Sequence, residues 1–145
     1  MLSFKFSRRD AESITYGFDI GDVEISNDKE TITTKNRTPD QGTMIYLLIV
    51  SLLDGLYELV EKKTKKKIEV IAPDSSFNFQ LSIIKNKSIS VQVGDKIMAT
   101  LPINNFITCL LNEIEYFLTD NPLYESDPVY FDLINSLNQF KKFST

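Results

Sequence analysis

Two segments of this chain carry the same apolar stripe. One has Ile45, Leu48, Ile49, Leu52, Leu53, Leu56, Leu59 and Val60, and the other has Ile103, Phe106, Ile107, Leu110, Leu111, Ile114, Phe117 and Leu118. Both follow i, i+3, i+4, i+7, i+8, i+11, i+14, i+15, the spacing of a helix buried along one side. The flanking residues do not match, so this is shared geometry and not a repeat. Two such stripes need an apolar surface to cover, and a sheet of about six strands supplies it. The expected fold is α+β. A mainly antiparallel sheet of about six strands packs against two long amphipathic helices, and a C-terminal helix is added.

The first stripe lies in MIYLLIVSLLDGLYELVEKKTKKK, residues 44–67, which invites a membrane reading. Its uncharged run, Met44 to Leu53, is 10 residues long, whereas a spanning helix needs about 20. Asp54 and Glu58 would sit inside any longer span at a cost of several kcal/mol. Ser51, Asp54, Gly55, Glu58 and Lys62 fall together on the side away from the stripe. The segment therefore reads as a core helix with one wet edge, and no membrane partner is expected. Thr38-Pro39-Asp40-Gln41 has the form of a capping box with proline at the first helical position, so the helix should begin near residue 39. Lys62, Lys63, Lys65, Lys66 and Lys67 close its end. Such a block can attract anionic lipid or nucleic acid, but at a helix C-terminus it also complements the negative end of the dipole. A solvated helix end is the expected role.

Strand signals flank the helices. In MLSFKFS, Leu2, Phe4 and Phe6 share one face. In ITYGFDI, Ile14, Tyr16, Phe18 and Ile20 share another, followed by turn chemistry at Gly21-Asp22 and by Val23 and Ile25 in continued alternation. ETITTK follows the turn-like Asn27-Asp28-Lys29. After the lysines come KIEVIA, FNFQLSIIKN, SISVQV and KIMATL, with hairpin turns at Asn86-Lys87 and Gly94-Asp95. A second helix should run from Pro102 to Asp120, and a third from the cap Asp127-Pro128 to about Phe143. No linker interrupts the order, so residues 1–145 are expected to form one domain.

The chemistry available is narrow. The chain has no histidine and one cysteine, which removes Ser-His-Asp and Cys-His nucleophile pairs and histidine or all-thiolate zinc sites. No G-x-G-x-x-G or G-x-x-x-x-G-K-[ST] loop is present. Cys109 lies beside the second stripe with no Lys or Arg near it in sequence, as a structural thiol does. Twenty Asp and Glu leave carboxylate chemistry open. DIGDVE (Asp19, Asp22, Glu24) lacks the ligand spacing of a calcium loop and reads as a turn. The net charge of −4 argues against nucleic acid as a ligand and suits a basic protein partner. MLSFKFSRRDAES holds no apolar core of the roughly 7–15 residues a signal peptide needs. One cysteine makes no demand for an oxidising compartment, and a cytoplasmic location is expected.

One window departs from an even charge distribution. From Asn112 to Asp132 it carries Glu113, Glu115, Asp120, Glu125, Asp127 and Asp132 without a single Lys or Arg, together with Tyr116, Tyr124 and Tyr130. Carboxylates steer a cationic partner, and tyrosines anchor it at low entropic cost. Glu113, Glu115, Tyr116, Asp120, Tyr124, Glu125, Asp127 and Tyr130 are thus candidate partner-binding residues. The bland alternative is a solvated helix face and its connecting loop. DIGDVEISNDKE is acidic too, and the interface reading gains if the two segments lie side by side.

With NEIEYFLTDNPLYESDPVYFD on a histidine-free, cysteine-poor α+β plan around SLLDGLYELV, the chain resembles the immunity proteins of bacterial contact-dependent inhibition and related polymorphic toxin systems. The resemblance implies a non-enzyme without cofactor or metal. Such a protein binds a cognate toxin, here a basic and nuclease-type domain, by plugging its active site or locking an inactive form. The other readings are a small carboxylate- or metal-dependent enzyme, which requires acidic groups gathered in a pocket with a raised pKa, and an adaptor or oligomerisation domain.

Overall fold

A computed structural model of the chain describes residues 2–144, and the side chains of residues 2–142. Alternation at the N-terminus builds β1 (Ser3–Arg8), with Leu2, Phe4 and Phe6 all buried. It pairs antiparallel with β2 (Ile20–Ser26), and a turn at Asn27 leads into the short β3 (Thr31–Thr33). Asn27 forms that turn by accepting the N–H groups of Lys29 and Glu30, both at 2.9 Å. A two-residue β4 (Thr43–Met44) pairs with the start of β2. Beyond the first helix, β5 (Lys67–Ile71), β6 (Asn78–Ile84), β7 (Ser88–Val93) and β8 (Lys96–Pro102) form a meander in strand order β5-β6-β7-β8. Its turns fall where Asn86-Lys87 and Gly94-Asp95 place them.

The α+β class holds, but the single sheet of about six strands does not. Eight strands form two separate antiparallel sheets of four among the described residues. The tip of the β2–β3 hairpin ties them together, with Asn27 Nδ2 donating to Met98 O at 2.8 Å and Lys96 pairing with Glu30 at 2.8 Å.

The two stripes do form helices. Seven residues of α1 (Ile45–Leu56) are buried, and Asp54 is exposed as the wet edge requires. A π-helical turn, Tyr57–Lys62, extends α1 and ends at Lys63 in the left-handed region. The second helix, α2 (Ile103–Asp120), buries Phe106, Ile107, Leu110, Ile114 and Phe117. The third, α3 (Tyr130–Ser144), packs across α1, where Ser136 donates to Asp54 at 2.6 Å. One continuous apolar core joins both sheets and all three helices. At its centre Phe4 of β1 sits between Phe79 of β6, at 6.0 Å, and Phe106 of α2, at 5.9 Å. No helix among the described residues is long and apolar enough to cross a membrane.

Three local expectations are overturned. The helix does not begin near residue 39. Thr38-Pro39 is a cis peptide, Arg9 grips Asp40, and Asp40 accepts the Gly42 N–H at 2.9 Å. Thr43 and Met44 then pair with β2 and donate to Asp74 Oδ1 at 2.8 and 3.1 Å. The Ile45 N–H bonds Asp19 O, and no side chain caps α1. Partners distant in sequence outcompete the local box. Nor is ITYGFDI a strand. Ile14, Tyr16 and Phe18 are exposed, and the chain turns through Asp19 N–H to Tyr16 O. Gly21-Asp22 is not a turn but lies within β2.

Candidate functional site

The loop between β1 and β2 is held by one buried guanidinium. Arg8, the last residue of β1, is 7% exposed. Its Nη1 pairs with Asp19 at 3.0 Å, its Nη2 donates to the carbonyls of Ala11 and Ser13, and its Nε donates to Asn121 Oδ1 at 2.9 Å. Asn121 closes α2, its Nδ2 donating to Phe117 O at 3.0 Å, while its own carbonyl accepts the Tyr46 hydroxyl at 2.6 Å. Burial raises the Tyr46 pKa above the ordinary tyrosine range, so this donor keeps its proton. Loop 9–19 and the exit from α2 are thereby fastened to the same point.

Further contacts lay that loop along residues 121–129. Thr15 donates to Pro122 O, and Gly17 N–H to Asp127 Oδ2 at 2.8 Å. A Cβ at Gly17 would run into Asp127 and Val129, so only glycine allows this approach. Asp127 also accepts the Val129 N–H at 2.9 Å through Oδ1, which forms the turn into α3 as its cap-then-proline signature suggested. The outer faces of these segments carry Ile14 (78% exposed), Tyr16, Phe18, Tyr124 and Phe131. Tyr16 stacks edge-on to Phe18, and Phe131 edge-on to Tyr130, each at 5.2 Å.

The acidic window is divided by this geometry. Residues two apart on a helix do not share a face, so Glu113 and Glu115 point to opposite flanks of α2. Glu115 pairs with Lys141 of α3 at 3.1 Å. Glu113 is half-buried above Cys109, whose thiol burial and the Glu113 charge both push upward, and whose Sγ lies 3.4 Å from Leu2 O. Tyr116 stands between them, 71% exposed, with Asp120 one turn on. Tyr124 and Glu125 are exposed on the following loop, whereas Asp127 and Tyr130 are half-buried. Among the described residues, Asp10, Glu12, Asp120, Glu125 and Asp132 form no ion pair.

The other acidic segment meets this region only at its start. Its carboxylates are engaged within the chain: Asp19 by Arg8, Asp22 by Arg9, Glu24 by Lys35 and Glu30 by Lys96. What comes to the acidic window instead is the aromatic loop 14–18, which the sequence disguised as a strand. Arg8, Gly17 and Asn121, which assemble the surface, carried no signal beyond a paired arginine in an acidic chain.

On the far side of β2, Arg9 bridges Asp22 and Asp40. Burial raises the Asp22 pKa, but hydrogen bonds from Arg9 and Thr34 outweigh it and hold the carboxyl below its ordinary range. The Arg9 and Gly42 hydrogen bonds lower Asp40 as well. Both shifts run opposite to what a general acid needs. No group of three or more Cys, Asp or Glu able to hold a metal ion occurs among the described residues.

The Asp22 shift has a pH signature. A carboxyl with a lowered folded pKa contributes stability that is present above its unfolded value, about 3.9, and is lost as pH falls through the folded value. Asp22→Asn is therefore expected to lower the thermal midpoint at neutral pH, through loss of about 1.5–3 kcal/mol of charged hydrogen bonding. The gap from the parent protein should narrow as pH drops below about 4. Melting curves across that range check it, and a gap independent of pH would remove the ionised pair as the cause.

Compared with known proteins, the chain matches no family model, no curated protein and no solved structure.

Proposed function

We propose that this chain is a non-catalytic binding protein of the immunity type, neutralising a cognate basic toxin domain by tight protein–protein contact. The observation that carries this reading is the fastening of loop 9–19 onto residues 121–129. It sets exposed Tyr16, Phe18 and Tyr124 beside carboxylates, Asp120 and Glu125 among them, that no cation of the chain's described residues engages. Aromatic anchors ringed by uncompensated charge suit a cationic protein surface. The anchors are rigid because Arg8 and Asp127 hold the backbone beneath them, which lowers the ordering cost of binding.

The placement of the residues decides which variants test this. Reversing Glu115 would also disturb its pair with Lys141, and Glu113 is half-buried. Asp120→Lys with Glu125→Lys leaves internal contacts intact and should cut the association rate about tenfold or more, with a weaker salt dependence. Tyr124→Ala should act mainly on the dissociation rate, by about 2 kcal/mol if it is an anchor. The partner to use is the product of the neighbouring open reading frame, with rates measured by surface-based kinetics. A partner that binds both variants like the parent protein, at every salt concentration, would remove this surface from the proposal.

A further inference from the structure

The sequence alone presents Lys62 to Lys67 as a solvated helix end. The fold adds to it. The β6–β7 turn lies against the same corner, with Ile83 N–H bonding Lys66 O at 2.8 Å and Ile103 N–H bonding Lys87 O at 3.0 Å. Lys85 and Lys87 therefore join Lys62, Lys63, Lys65, Lys66 and Lys67 at one end of a chain whose net charge is −4. All seven are exposed. Glu58 takes Lys65 at 3.5 Å, and Lys62 lies over the Tyr57 ring at 5.6 Å. Among the described residues, Lys63, Lys66, Lys67, Lys85 and Lys87 form no ion pair. Lys63, Lys65 and Lys66 border an apolar notch of about 80 Å3 lined in part by Leu59, Val60, Ile83 and Ile103, and Ile84 beside them is 40% exposed.

The two ends of the molecule are opposite in charge. α2 starts at this lysine pole, where its first N–H meets Lys87, and runs 18 residues, about 27 Å, to Asp120 beside the acidic surface. α1 runs the other way, from Asp19 to Lys63. An anionic plane would attract one pole and repel the other, and so orient the molecule upright.

We propose that the lysine pole docks on the anionic headgroups of a lipid bilayer surface, with the acidic surface facing away from it. Every cation in the cluster is a lysine. That gives point charges on flexible stems, suited to a diffuse layer of headgroups and not to bidentate reading of fixed phosphates. Among the described residues the one aromatic ring at its margin is Tyr57, which lies under Lys62, so they offer no platform for stacking nucleic-acid bases. Exposed Ile84 and the notch supply a shallow apolar contact, which fits lying on a membrane and not crossing one. The inference does not depend on the toxin-binding reading, since the two surfaces lie at opposite ends of α2.

The test is co-sedimentation of the full chain with vesicles of phosphatidylcholine, with and without roughly a third phosphatidylserine, at low and high salt. Binding should be at least about tenfold stronger to the anionic vesicles and should fade as salt rises. Lys63→Gln, Lys66→Gln, Lys85→Gln and Lys87→Gln combined should abolish it. Lys5→Gln with Lys29→Gln and Lys35→Gln and Arg37→Gln, an equal change of net charge elsewhere, should not. Equal binding to both vesicle types, or equal loss in the two variants, would overturn the proposal. So would stronger binding to a short DNA duplex than to vesicles of matched anion concentration.

Discussion

Replacing Arg8 by methionine is expected to destabilise the fold by about 3–5 kcal/mol, because it strips one partner from a buried charged network. Methionine keeps most of the stem volume of arginine but leaves Asn121 Oδ1 and the carbonyls of Ala11 and Ser13 without the guanidinium donor, and Asp19 without its cation, with only the Tyr16 N–H at 2.9 Å still donating to it. Asp19 retains 21% of its side-chain exposure, so water recovers part of the loss and the lower end of the range is favoured. For a chain of this length about 3 kcal/mol lowers the thermal midpoint by roughly 6–12 °C. Arg8→Lys should rescue little, since an ammonium cannot reach Asp19, Asn121 and two carbonyls together. Urea unfolding measures the free energy, and limited proteolysis should find loop 9–19 newly open. A loss below about 1 kcal/mol would show that Gly17–Asp127 and Thr15–Pro122 hold the loop without Arg8.

The parts of this fold legible in the sequence are those that local chemistry decides. The two stripes form helices that face the core as spaced, with Val60, Ile103, Leu111 and Leu118 partly buried at its margin, the β5-to-β8 meander follows its turn residues, and Asp127-Pro128 opens α3. The misread parts are those where a distant group overrides a local preference. Asp40 and Thr38 spell a helix start, but Arg9 holds that segment irregular, and Asp74 and the β2 edge claim the following Thr43–Met44 for a strand. Tyr16 and Phe18 alternate like strand residues, but Asp127 and Arg8 bend the backbone between them into a loop. The same limit applies to the surfaces. The acidic window could be found as a run of charge, yet its aromatic neighbours arrive from more than a hundred residues away, and Lys85 and Lys87 reach the lysine block only through β5–β6 pairing. The division of the strands into two sheets was equally invisible, because alternation specifies a buried face and not the partner across it.

Gly21 shows this limit at a single residue, and its substitution is the second large effect expected. Followed by Asp22, it reads as a turn, but it lies in β2 opposite Arg8 of β1 and Thr43 of β4. A glycine inside a strand marks a close backbone approach. Here a Cβ would collide with the carbonyl oxygen of Ser7 and come within 2.8 Å of the Ile45 Cβ at the start of α1. Neither neighbour can yield easily, since one is backbone in the β1–β2 ladder and the other is fully buried. Gly21→Ala is therefore expected to cost about 3 kcal/mol, the upper part of the range for overpacking, although alanine suits most strands better than glycine does. The strain falls where β1, β2 and α1 meet, next to Arg8 and Asp19, so the damage should spread to loop 9–19. Chemical-shift changes at Ser7, Asp19 and Ile45 would locate it, and thermal melts would give its size. A variant as stable as the parent protein would mean that β2 does not pass this close to β1 and α1, and the placement of loop 9–19 beside the acidic surface would fall with it.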